Sequence, residues 1–499
     1  MAIALKDLYE YVRGRMAEHG DFEHKLFGYT PNNKILTASK SLFDTPQDYW
    51  QKPDADFPEK THSDRLPDAM CKIIADGKTF VDIVTMDEPK GKFRAAYEDG
   101  IAAIAKAGHK ATIRILLGRQ FSPFHLEIEM MLWQLAAKLP VVDGLVVYMA
   151  QFRSRNNSWN HAKLIAVDGN AILTGGHNMW DQDYLEAAPT FDISMRFDGE
   201  IALGGHFFAD GIWKYVANVP EGNRHITYCR SLRVENGKWV VKTEHAPQSF
   251  GLPRGGDGDT PALWVTAPGL GVWNTHTGTG MIALVRALQS AEKLCYLSLQ
   301  DLASDYVGGS SFVIEQFVDF PYQTINCQGY IFILPLVDAM AAFLRKNRDT
   351  QLCIVLSHPK GDGRPYTSGC PFGVILDVIG QRMRAQDSNL TPENIAERMR
   401  GQLFLQDIRF DKNRLKWPDG RVKRNHAKFW MMDDRLFYVG SDNVYPYVKP
   451  GPLTGAHPEF GIVAEPTDTA RDELLNTYWR PLFQWGDRIV PNVSYFTWK

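Results

Sequence analysis

One short pattern occurs twice in this chain, the second copy 265 residues after the first (426 − 161). Asn160-His161-Ala162-Lys163 is followed by Asp168 and then Gly175-Gly176-His177-Asn178. Asn425-His426-Ala427-Lys428 is followed by Asp433 and then Gly440-Ser441-Asp442-Asn443. Counted from each histidine, Lys stands at +2, Asp at +7, Gly at +14 and Asn at +17, while the residues between largely differ. A chain of this length holds roughly one His-x-Lys by chance, but the later offsets cut the expectation to about one chain in ten thousand. Repetition cuts it further. The chain therefore carries a duplicated piece of chemistry, and its fold must present the same local structure twice.

The spacing has a physical sense. Apolar and β-branched residues flank Asp168-Gly169, a pair that favours a tight hairpin turn, and Asp433-Asp434 stands at the same place in the second copy. A strand from Asn160 to Val167 places His161 and Lys163 on one face, because residues i and i+2 share a face. His426 and Lys428 share a face for the same reason. Asp168 and Asp433, at an odd offset in the turn, are expected to anchor the hairpins and do no chemistry. The glycines suit close backbone approach to an anion, and Asn178 and Asn443 can donate amide N–H to phosphate oxygens; an ordinary turn after a strand is the alternative.

At 499 residues the chain exceeds one ordinary core and divides into two domains, 1–250 and 262–499, joined at 251–261, where Gly and Pro are dense. In the first, strands at Val81–Met86, Thr112–Leu117 and Leu145–Met149 alternate with helices at Gly91–Ala107 and Pro123–Lys138 before the motif. A strand at Asp192–Phe197 and a helix near Phe207–Ala217 follow it. In the second, helices at Met281–Ala291, Ile331–Arg345 and Val374–Arg384 alternate with strands at Leu294–Leu299, Gln351–Leu356 and Leu403–Ile408. Strand Phe460–Ala464 and helix Thr469–Leu482 close the chain. The alternation predicts an α/β protein of two similar, mostly parallel sheets flanked by helices, with the site at the seam.

Composition sets limits. With 44% apolar and 23% charged residues and a formal net charge of −3, the chain reads as soluble and globular, without the basic field of a general nucleic-acid binder. Arg421, Lys423 and Arg424 make only a short basic run, read as a solvated turn. Cysteines 71, 229, 295, 327, 353 and 370 lack metal-type spacing and read as free thiols. Leu5, Leu8, Tyr9, Val12 and Met16 mark an amphipathic helix and not a signal peptide, and Tyr330–Leu344 is too short to span a bilayer. The expected location is cytoplasmic, or outside by a non-classical route.

The two stretches resemble the paired His-Lys-Asp motifs of the phospholipase D superfamily, in particular the secreted bacterial phospholipase D type. The resemblance also covers Trp159, Gly175 through Trp180 with Asp183-Tyr184, Gly269-Leu270-Gly271-Val272, Ser298-Leu299-Gln300-Asp301-Leu302, Trp417-Pro418-Asp419-Gly420, Asn443-Val444-Tyr445-Pro446 and Glu459-Phe460-Gly461. It implies a pseudo-twofold fold, His161 as nucleophile forming a phosphohistidine, His426 as acid and then base, and an acid orienting each histidine, with Asp192 and Glu459 at the matching positions.

Two histidines and two lysines suit attack on a phosphodiester, whose transition state spreads charge over oxygens that fixed cations stabilise. The lysines stand where a metal would, so no cofactor or metal is expected. The expected substrate is a phosphatidylcholine-like lipid at a membrane surface, cleaved to phosphatidic acid and alcohol, with transfer to other alcohols as a side reaction. Membrane contact is expected to be peripheral only, nucleic acid is not expected as a stable partner, and a monomer suffices. A non-lipid phosphodiester and a non-enzymatic lipid scaffold are the alternatives. Trp159, Trp180, Tyr184, Tyr445 and Tyr447 suit either a head-group entrance or core, and the irregular stretches Tyr306–Tyr330 and Ser357–Phe372 suit lids.

Overall fold

The computed structural model describes residues 3–18, 26–36, 38–46, 65–118, 128–154, 158–219, 227–249, 251–253, 255–269, 272–273, 278–305, 323–359, 369–410, 415–444 and 457–498. Strands β1 (Phe27–Lys34) and β2 (Leu42–Thr45) precede a parallel trio, β3 (Phe80–Thr85), β4 (Thr112–Gly118) and β5 (Val146–Phe152). The first motif hairpin, β6 (Leu164–Val167) and β7 (Ala171–Gly175), lies antiparallel against β3, and β8 (Asp192–Gly199) continues the sheet beyond β7. On the other side, β9 (Tyr228–Glu235) pairs with β5 and with the edge strand β10 (Lys238–Lys242).

Every residue of β3 is buried because helices cover both faces of the sheet. Val81 and Ile83 pack towards helices Arg65–Ala75, Gly91–Lys106 and Ile128–Ala136. Val84, Leu164 and Ala166 pack on the opposite side, with Phe208, Ala209 and Ile212 of helix Ala202–Asn218. Each such Val, Ile, Leu or Phe side chain contributes about 1.5–3 kcal/mol of apolar burial.

The second half repeats the order. β11 (Thr260–Ala267) is followed by β12 (Leu294–Ser298), a small three-stranded sheet of β13 (Ala303–Asp305), β14 (Thr324–Cys327) and β15 (Tyr330–Ile333), then β16 (Gln351–Leu356) and β17 (Leu403–Asp407). β12, β16 and β17 run parallel, the hairpin β18 (Phe429–Met432) and β19 (Leu436–Gly440) lies antiparallel on β12, and β20 (Glu459–Ala464) continues beyond β19. β21 (Arg488–Ile489) ends the far edge on β17.

The two sheets are not separate. β1 pairs with β11 along Phe27–Asn33 and with the end of β8 at Asn33 and Lys34, which makes one 18-stranded sheet among the described residues. One hydrophobic cluster likewise runs from Leu5 to Phe496 through both halves. The segment expected as linker, 251–261, runs into β11 at Thr260.

Several elements differ from the sequence reading. The helix expected from Ile331 starts at Leu334, because Tyr330–Ile333 pairs on both sides in the small sheet and Pro335 lies in the helix's first turn. Helix Pro392–Gln402 was not expected, although Thr391 caps it by accepting from Asn394 N. The last expected helix, from Thr469, runs as Asp468–Leu474, a wide π turn at Leu475–Trp479, and Arg480–Gln484, with Pro481 in the final segment. Helix Leu5–Glu18 buries the expected Leu5, Leu8, Val12 and Met16. Most of both lid candidates, 306–322 and 360–368, and residues Tyr445 and Tyr447 lie outside the described residues. No helix among the described residues is long and apolar enough to cross a membrane.

Candidate active site

Sequence spacing expects strand from Asn160 onward, yet β6 starts at Leu164 and β18 at Phe429. The motif residues leave the ladder, and their backbone groups need other partners. His161 N donates to Pro458 O at 3.1 Å and His426 N donates to Phe191 O at 2.7 Å. Each motif is thus bonded to the opposite half. The preceding asparagines hold both stretches at the C-terminal ends of the parallel strands: Asn160 Nδ2 donates to Thr85 O at 2.8 Å, and Asn425 Nδ2 donates to Ser298 Oγ and Val355 O, each at 3.1 Å. Gly118, ending β4, is required there, since a Cβ would lie 2.4 Å from both Asn160 O and Met86 O.

The two acids are exchanged between halves. Glu459, opening β20, places Oε1 2.6 Å from His161 Nδ1, and Asp192, opening β8, places Oδ2 2.7 Å from His426 Nδ1. With the carboxylates ionised, both Nδ1 atoms carry the proton and both Nε2 atoms present a lone pair. Burial holds both imidazoles well below the usual histidine range, and the ammonium groups of Lys163 and Lys428 hold them lower still.

The lysines fold back on their own motifs. Lys163 Nζ bonds His161 O and lies 3.2 Å from His161 Nδ1, and Lys428 Nζ bonds His426 O at 2.5 Å. Burial pulls Lys163 down to about 8 and Lys428 to about 7. It also pushes Asp192 up to about 7 and Glu459 up to about 8, against the opposing pull of Lys428 and Lys163 respectively. Four charged groups therefore exchange protons near neutrality as one coupled set.

Asp168 and Asp433 face away from this cluster. Asp168 accepts from Lys78 N, Thr79 N and Phe80 N, and Asp433 from Glu292 N, Lys293 N and Leu294 N, which ties each turn to the start of β3 or β12. Both aspartates have φ of 52°, with Gly169 and Asp434 next to them also at positive φ. Gly176 does sit against an anion, but the anion is a protein carboxylate: a Cβ there would be 2.0 Å from Asp192 Oδ1. Asn178 is buried with its N–H on Tyr184 Oη at 3.3 Å, and Asn443 is partly exposed.

Three neighbours escaped the sequence reading. Tyr184, noted there only as an entrance or core aromatic, donates from Oη to Asp192 Oδ2 at 3.1 Å and lies 3.2 Å from His426 Nδ1. His177 is bonded to Thr45 Oγ1 at 2.9 Å and Ser194 Oγ at 2.8 Å, and burial holds it down to about 3. The His457 ring lies 4.0 Å from that of Trp159 and 6.0 Å from that of His161. One signal was available: His457 stands two residues before Glu459. Trp159 and Trp180 are buried, and no group of three or more His, Cys, Asp or Glu among the described residues is placed to hold a metal ion. All six cysteines are free.

Paired neutral imidazoles, each oriented by a carboxylate and accompanied by an ammonium group, define a phosphodiesterase of the two-histidine type. No family model matches the chain. Phospholipase D of Streptomyces antibioticus is 27% identical over 455 residues, covering 86% of this chain and 78% of that relative. The crystal structure of phosphatidylserine synthase from Haemophilus influenzae Rd KW20 shares the fold, with a TM-score of 0.52 at 11% identity over 94% of this chain and 91% of that one. The chain is thus similar to a phospholipase D over most of its length, shares the fold of phosphatidylserine synthase, and is a phosphoric diester hydrolase.

Proposed function

We propose that this enzyme cleaves phosphatidylcholine-like glycerophospholipids to phosphatidic acid and the free alcohol through a phosphohistidine, with transfer to other alcohols as a side reaction. The observation that carries the reading is the exchange of acids, which gives each histidine a proton on Nδ1 and an available Nε2. His161 Nε2 attacks phosphorus, the bond to the head-group oxygen breaks, and His426 gives that oxygen a proton. His426 then takes a proton from water or an alcohol, whose oxygen attacks phosphorus and releases His161. Lys163 and Lys428 stabilise the phosphoryl oxygens, and Asn178 and Asn443 donate to them. A bound phosphodiester anion offsets the lysine charge that keeps the imidazoles neutral, which raises His426 towards the protonated form that its first role requires.

The test is choline release from phosphatidylcholine vesicles without added metal. Changing His161→Ala or His426→Ala is expected to cost at least about a thousandfold in kcat. Variants that turn over like the parent would exclude the mechanism. A parent inert on lipid that cleaves bis-p-nitrophenyl phosphate through the same histidines would keep the chemistry and move the substrate to a non-lipid phosphodiester.

A further inference from the structure

We propose that helix Ile128–Ala136 carries a bilayer-docking patch, built on Met130 and Trp133 with Lys90 and Lys92 beside it, that seats the catalytic edge on a surface of anionic lipid. The proposal rests on the reading of the substrate as a membrane lipid. A soluble helix ordinarily shows one apolar face, and this one carries two large apolar side chains on its outer face as well: Ile128, Met131, Leu132, Leu135 and Ala136 are buried in the core, while Met130 and Trp133, next to exposed Glu129 and Gln134, are 48% and 49% exposed. Those two stand at i and i+3, so they share the outer face. Tryptophan and methionine on an exposed face suit the water–lipid boundary, where an apolar body is buried and a polar edge stays wet.

Position links this face to the chemistry. β3, β4 and β5 are parallel, so their C-terminal ends form one edge of the sheet, and Asn160 is bonded there to Thr85 O at 2.8 Å. The first turn of the helix lies at the same edge, because Glu129 accepts from Tyr228 Oη at 2.9 Å and Tyr228 pairs with Gln151 near the end of β5. A hydrogen-bonded path continues from the motif turn to the helix. Lys90 N donates to Met179 O at 3.1 Å, Trp180 Nε1 to Glu88 O at 3.0 Å, and Arg94 joins Glu88 at 2.9 Å to Gln134 at 2.6 Å.

Charge selects the occupant. Lys90 and Lys92 are exposed on this path, and Lys90 Nζ stands 5.7 Å from the Trp180 ring centre. The only acid of the helix, Glu129, is bonded to Arg230 Nε at 2.8 Å. An apolar pair beside exposed lysines matches a bilayer containing phosphatidic acid, which is also the product of the proposed reaction.

The test compares the intact enzyme with the double variant Met130→Ser/Trp133→Ser in sedimentation with phosphatidylcholine vesicles containing phosphatidic acid. We expect partition about tenfold weaker for the variant, with unchanged turnover of soluble bis-p-nitrophenyl phosphate showing an intact fold. Lys90→Ser/Lys92→Ser is expected to weaken binding to anionic vesicles and leave neutral ones unaffected. Equal partition of parent and Met130→Ser/Trp133→Ser, or a parent that does not bind, overturns the proposal. So does a change of oligomeric state in the variant with vesicle binding retained, which assigns the face to a second copy of the chain. The His161→Ala variant is expected to bind vesicles like the parent, so docking is read independently of lipid cleavage.

Discussion

The two halves hold one strand order over different interiors. Asp168 N and Asp433 N donate to Phe80 O and Leu294 O, which aligns Asp82 with Tyr296 and their parallel neighbours Arg114 with Cys353. In the first half, fully buried Arg114 makes two 2.7 Å bonds to Asp82 and one to Asp210, while His206 Nδ1 lies 2.7 Å from Asp82. In the second, the Tyr296 ring stacks on Trp479 at 4.5 Å. An ion network and an aromatic stack thus support the same ladder. What the halves keep in common is the His-Lys pair and the aspartate that fixes the turn; the packing between is interchangeable provided each buried polar group is bonded.

The acid exchange breaks the symmetry most directly. Asp192→Asn and Glu459→Gln are each expected to lower kcat by about 10²- to 10⁴-fold, since each loses the tautomer control of its histidine. Because the acids cross over, Glu459→Gln should suppress formation of the phosphohistidine, while Asp192→Asn, with bis-p-nitrophenyl phosphate whose leaving group needs no proton, should slow mainly its breakdown and let it accumulate. Acid-quench measurement of the phosphoenzyme separates the two, and the reverse pattern would reassign nucleophile and acid.

Stability sharpens the contrast between interiors. Arg114→Leu leaves Asp82 and Asp210 buried without their cation and should cost about 3–5 kcal/mol in urea unfolding. Tyr296→Phe at the aligned position should cost about 1 kcal/mol. Equal losses would show that the two interiors carry the same load. Asp168→Ala and Asp433→Ala should each lose about 2–3 kcal/mol as turn N–H groups lose their acceptor, with kcat of the folded enzyme nearly unchanged. A large fall in kcat at unchanged stability would move these aspartates into the chemistry.

The smallest effect is in pH dependence. Asp192 and Glu459, raised to about 7 and 8, orient the imidazoles only when ionised, so activity should rise with pH through that range. Lys163 and Lys428, lowered to about 8 and 7, would stabilise the phosphoryl oxygens only when protonated, so activity should fall with pH over the same range and beyond it. The outcome is a narrow bell in kcat/KM near neutrality, each limb steepening to about a hundredfold per unit once both of its groups have titrated. A plateau from pH 5 to 10 would contradict it.

Sequence alone determined the duplicated His-Lys pairs, the turn aspartates, the alternating α/β order and the two acids as candidates. All but the acids are legible because turn chemistry and strand periodicity act between near neighbours in the chain, and the acids through the resemblance alone. Tertiary structure alone decided that Asp192 serves His426, 234 residues away, that Tyr184 joins that pair, and that β1 joins two sheets into one. Asp192 stands much nearer His161 in sequence, so proximity along the chain would have paired the wrong partners. Which imidazole meets which carboxylate depends on where two distant strand ends come together, and that is set by burial of the common core.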